Sequence, residues 1–180
     1  MQVELNGRVA LVTGAAGAIG RAIARRLSDN GASLGPLTHG LAVSERSTML
    51  RAAMQFLQSL HADKGWHGAA QIRNLTRLQD GFGAIDFEDD LEPSMPLELR
   101  QARDIYLFLI SAARFAKRDP ELVPQLLQDA LGRASAPVAA EVRTVGAKLV
   151  QADRMMGWLA AYMGRDGPAL SAIAKAFRNL

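Results

Sequence analysis

The sequence predicts a mostly α-helical chain with a small α/β unit at its N-terminus, followed by a helical bundle. Three observations carry that expectation. Residues 8–33 read as strand, glycine turn, helix. From residue 47 onward, apolar residues recur at helical spacing between caps and breaks. No fixed-period repeat, sustained heptad or low-complexity tract competes with this pattern.

Composition sets the outer bounds. A chain of 180 residues, 49% hydrophobic and 22% charged, suits one domain or one domain with a small appendage. Its core needs no staples. No apolar run reaches the roughly 18 residues of a membrane span, so no membrane partner is expected. The stretch Met1 to Arg8 does not read as a signal peptide. Zero cysteines exclude disulfides, thiolate zinc sites and cysteine nucleophiles. A cytoplasmic location is expected. The net charge is only +3, so the pI near 9.7 reflects a small excess in a nearly balanced chain. With 6% aromatic residues no stacking platform is evident, and nucleic acid is not an expected partner.

The first element is the most informative. Arg8-Val9-Ala10-Leu11-Val12 is a short aliphatic run that reads as a buried parallel strand. Thr13-Gly14-Ala15-Ala16-Gly17-Ala18-Ile19-Gly20 follows directly. Ile19, Ile23 and Leu27 then fall on one helical face, and Gly31 is a plausible stop. Strand, glycine turn and helix form the geometry that holds a dinucleotide pyrophosphate. Glycines let backbone amides approach the phosphates, and the helix N-terminus supplies free N–H groups.

In wording, Leu5 to Gly14 resembles the first strand of the short-chain dehydrogenase/reductase family, and Ile19 to Leu27 its first helix. The resemblance implies a Rossmann-like first βα element and NAD or NADP as ligand. Thr13, Gly14, Ala15, Ala16, Gly17, Ala18, Ile19 and Gly20 are then the cofactor-binding residues. The family's usual turn is TGxxxGxG, and here Ala18 holds the middle glycine position. Gly17 makes the turn fit TGxxGxxG, the form of the family's extended branch. No basic residue interrupts Ala15 to Gly17, which favours NAD. The choice stays open because the ribose-reading residue of a second strand is missing.

The resemblance ends at Ser33. Pro36 interrupts any central strand that would follow. The family's catalytic Tyr-x-x-x-Lys is absent: Ile110 stands four residues after Tyr106, and Asp166 four after Tyr162. No catalytic residue is therefore assigned, and the chain is expected to be incomplete for catalysis. A truncated or fused chain would explain the abrupt change after Ser33. The rival expectation is a non-enzymatic helical interaction or regulatory protein, a homo-oligomer or a binder of a protein partner through its helical faces. A lone strand makes no sheet, so the first strand must pair with 41–43, with 83–87 or with another subunit.

The remaining elements divide the chain into 1–43, a βα segment and connector, and 44–180, mainly helical. Ser47 caps an expected helix to Ala62, with Leu50, Ala53, Met54, Leu57 and Leu60 inward. Residues 63–68 form a break, and Ala69 to Leu78 read as a short helix. Gly81 to Phe87 read as strand or loop. The acids Asp86, Glu88, Asp89, Asp90 and Glu92 lack the spacing of a calcium loop, and no metal site is expected.

Leu99 to Lys117 carries a broad apolar stripe, including Ile105, Tyr106 and Leu109, and reads as a central helix. Arg114, Lys117 and Arg118 suit its C-terminal dipole. Asp119-Pro120-Glu121 read as cap, first-turn proline and acid for a helix ending near Gly132. Ser135 and Pro137 start another, continuing or kinking through Met155 and Met156 toward Gly164. Met155, Met156 and Met163 resemble a soft partner-binding stripe, but their helical spacing predicts core packing. Asp166-Gly167-Pro168 restarts a last helix. His39, His61 and His67 show neither metal-site spacing nor an evident acidic partner, and each reads as a surface or satisfied histidine.

Overall fold

The computed structural model describes residues 9–10, 33–34, 42–78, 81–84, 94–162, 164 and 166–180. Contacts gather the chain into two units: Met1–Leu41 with Arg73–Asp86, and Ala42–Ile72 with Phe87–Leu180.

In the first unit, β1 (Val9–Ala10) and β2 (Ser33–Leu34) pair in parallel. Val9 stands opposite Ser33, and Ala10 opposite Leu34. Among the described residues the first strand pairs with Ser33–Leu34 and not with 42–43 or 83–84, and Val43 opens a helix instead. Parallel neighbours need a crossover of a dozen or more residues, which 11–32 supply. A second pair, β3 (Leu75–Leu78) and β4 (Gly81–Ala84), is an antiparallel hairpin running from Leu75↔Ala84 to Leu78↔Gly81. This corrects the helix expected over 69–78. Only Ile72–Asn74 forms a 3-10 turn, after which the backbone finds its hydrogen bonds across the hairpin.

The second unit is helical. Its five described α-helices are α1 (Val43–Ala62), α2 (Leu97–Ala112), α3 (Leu122–Arg133), α4 (Ala136–Met156) and α5 (Asp166–Arg178). A 3-10 turn at Ala113–Phe115 extends α2, and another at Gly157–Tyr162 follows α4. Leu50, Met54 and Leu57 of α1 are buried with Ile105, Phe108 and Leu109 of α2 and Leu126 and Leu127 of α3. No described helix is long and apolar enough to cross a membrane.

Helix α1 opens ahead of Ser47, the expected cap. Glu45 accepts the Ala42 N–H at 3.0 Å, which is half of a capping box. Ser47 lies inside the helix and donates its hydroxyl to Asp119. That contact also takes Asp119 away from capping α3, whose N-cap is Glu121. Arg51 holds Asp129 of α3 at 2.9 Å, and this contact raises the Arg51 pKa.

Helix α4 behaves as a lid on one side of the core. Val138, Val142 and Gly146 are its buried residues. Gly146 is required by packing: an added Cβ would lie 2.4 Å from the Phe177 ring of α5. That ring stacks at 6.3 Å on Tyr106 of α2, whose hydroxyl donates to Val142 O at 2.7 Å. Three helices therefore meet at one small residue. Further along, Met155 is 68% and Met156 53% exposed, which corrects their expected place in the core. Met163 lies outside the described residues.

Candidate functional site

The glycine turn Thr13 to Gly20, His39 and the acidic run 86–92 lie outside the described residues. Among the described residues, the densest polar arrangement is one the sequence reading did not find. It joins α2 to the segment after α1.

Helix α1 ends in a Schellman motif. The Lys64 N–H donates to His61 O, and the Gly65 N–H donates to Leu60 O, each at 3.0 Å. Lys64 occupies the left-handed position with φ 60°. From there residues 65–71 run without regular structure, and their backbone groups turn to α2. Gln101 donates to His61 O and Gly65 O, each at 2.9 Å. Asp104 accepts the N–H of His67 at 2.6 Å and of Gly68 at 2.9 Å. Arg103 donates to Gly68 O, and Ser111 Oγ accepts the Ile72 N–H at 3.0 Å. Arg100 lies 4.5 Å from the centre of the Trp66 ring. Residues 101, 104 and 111 share one helical face, so α2 presents a polar stripe that matches the segment in order.

The Asp104 carboxylate is fully buried and also meets Nε2 of His61 at 3.2 Å. The His61 side chain is 8% exposed. A carboxylate accepts, so Nε2 carries the proton and Nδ1 keeps the lone pair in the neutral ring. His67 is buried too, its Nδ1 accepting the Ala69 N–H at 3.3 Å. His61 is thus a satisfied histidine, as expected, but by a partner that sequence spacing did not reveal.

His61 lines a cavity of about 410 Å³ bounded by α1, α2 and the start of α4. Buried Gln58, Gln101, Ile105 and Val138 form its inner wall, and exposed Lys64 and Arg133 stand at its rim. Among the described residues, His61 hydrogen-bonds no hydroxyl that it could activate. The dyad therefore orients a ring and does not by itself make a nucleophile. No group of three His, Asp or Glu residues among those described is arranged to hold a metal ion. A larger depression of about 1200 Å³ carries Arg114, Lys117 and Lys175, all exposed, and no buried charge.

Comparison with family models, with curated proteins and with solved structures finds no match for this chain.

Proposed function

We propose that residues 5–33 form a dinucleotide-binding element and that the chain binds NAD or NADP while being incomplete for hydride transfer. The observation that carries this reading is the parallel pairing of Val9–Ala10 with Ser33–Leu34. It brackets a connection that begins with the glycine motif. A strand, a glycine turn and a parallel return strand are the order in which a Rossmann-like unit presents a pyrophosphate to amides at a helix start. Thr13, Gly14 and Gly17 to Gly20 would line the phosphates. Neither tyrosine has a lysine four residues on, so no residue here is offered as a catalytic acid.

Calorimetry with NADH and with NADPH tests this, beside a Gly14→Asp variant. Binding of either cofactor that the variant abolishes supports the reading. Absence of binding at millimolar concentration by the unaltered chain sinks it.

A second reading, a protein-binding helical module, is favoured by one observation. Met155, Met156, Trp158 and Tyr162 are exposed by 68%, 53%, 72% and 82% around the end of α4. Such side chains at one helix end are what a protein partner or a second copy would cover. Light scattering on the unaltered chain and on Trp158→Ser tests it. A mass above one chain that the variant reduces supports self-association.

A further inference from the structure

One face of α4 presents two arginines that no other described residue engages. Arg143, Ala147, Val150 and Arg154 follow one another at steps of four, three and four. That spacing keeps them on one stripe, the kind of seam along which a second helix lies. The stripe flanks the buried row of Val138, Val142 and Gly146. Together with the end of α5 it bounds a shallow groove of about 910 Å³. Ala147, Val150 and Phe177 give the groove an apolar floor. The Phe177 ring is already stacked on Tyr106, so the floor is formed before anything binds.

The charge around that floor has one sign. Arg143, Arg154 and Arg178 line the groove, and no acidic side chain does. The chain has 18 acidic residues for 21 basic ones, so this imbalance is local and does not follow from the net charge. Arg178 is held by Asp153 at 2.8 Å. Arg143 and Arg154 are exposed and make no ion pair or hydrogen bond among the described residues. A guanidinium matches a carboxylate with two parallel bonds. The two unpaired arginines stand eleven residues apart, three turns and about 16 Å along the axis.

We propose that this groove binds an amphipathic helix of another protein, with two carboxylates three turns apart and an apolar row between them. The carboxylates pair with Arg143 and Arg154, and the apolar row lies on Ala147, Val150 and Phe177. Other occupants use less of the surface. A nucleic acid would engage the arginines and leave the apolar floor uncovered. A flat lipid surface does not enter a groove between two helices. A second copy lacks the matching element, because no described helix of this chain carries two acids eleven residues apart. The inference rests on the second reading above, a helical module that binds protein, and gives that reading the chemistry of its partner.

The test is fluorescence anisotropy of a labelled, alanine-rich synthetic helix titrated with the full chain. The peptide carries two glutamates eleven positions apart, with leucines four and seven positions after the first. One comparison peptide has glutamines for the glutamates. Another has the second glutamate moved back two positions, onto the opposite face at the same net charge. The expected result is saturable binding at about 100 μM or tighter, with both comparison peptides weaker by about tenfold or more. Arg143→Gln and Arg154→Gln should each weaken it by about fivefold or more. Lys148→Gln, exposed on the same helix but outside the groove, should leave it unchanged. All three side chains are exposed, and circular dichroism checks that the variants fold. The proposal is overturned if no peptide binds at about 1 mM, if the shifted peptide binds as well, or if Arg143→Gln and Arg154→Gln leave binding unchanged. Tighter binding of duplex DNA or of phosphatidylserine vesicles, lost in the same two variants, would overturn it too. If the peptide fails while light scattering gives a mass above one chain that Trp158→Ser lowers, the inference falls and the protein-binding reading stands.

Discussion

His61 Nε2 stands 3.2 Å from Asp104 Oδ2, and the same carboxylate holds the backbone amides of His67 and Gly68. The histidine is therefore one of three donors on a fully buried acid.

That arrangement ranks two substitutions. Asp104→Ala strands two buried amides as well as the ring, and should cost about 3 kcal/mol or more. His61→Ala leaves both amides bonded and should cost less, despite its larger loss of volume. Urea unfolding of the two variants measures the difference. Equal losses would mean that the amide bonds contribute little.

Lys64 holds a left-handed backbone that costs an L-residue about 1–2 kcal/mol. Lys64→Gly should therefore raise stability by about 1 kcal/mol, seen as a higher urea midpoint with unchanged slope.

Two glycines in helices should respond oppositely to alanine. At Gly146 the added methyl meets the Phe177 ring, so Gly146→Ala should cost about 1–3 kcal/mol in spite of better helix propensity. At Gly132 nothing lies within 4 Å of the added methyl, and Gly132→Ala should gain about 0.5–1 kcal/mol. Thermal melts of both variants check the pair.

Burial pushes the Tyr106 phenol well above its ordinary value of 10.0. The unfolded chain then loses this proton before the folded chain does. Stability from this group is complete below about pH 10 and is lost as pH rises from there toward the folded value. Tyr106→Phe should cost about 1 kcal/mol at neutral pH, through the lost bond to Val142 O, and should flatten the alkaline decline. Urea midpoints measured from pH 7 to 11 test both parts.

Much of the helical unit was legible because a stripe such as Leu50, Met54 and Leu57, or Ile105 and Leu109, records burial at helical spacing. The hairpin was not. Leu75 to Leu78 carries a pattern too short to separate helix from strand, and its pairing to 81–84 is a property of two segments together. Asp104 was missed for a related reason. Its partners lie 36–43 residues away, and two of them are backbone amides that no side-chain pattern encodes. The signal that was present is an acid next to the apolar stripe of a central helix, with Gln101 and Ser111 on the same face. Met155 and Met156 misled because helical spacing reports a face and not what covers it. The glycine motif lies outside the described residues, so the structure adds only the strands that flank it.

The segment between His61 and Ile72 belongs to no ladder, yet its amides at 67, 68 and 72 are bonded to buried side chains of α2. Hydrogen exchange at those three positions is then governed by the opening of α2, not by fraying of an irregular loop. They should exchange with deuterium as slowly as the centre of that helix. An apparently unstructured turn would carry the protection of the core, moving when the helix moves and otherwise standing still.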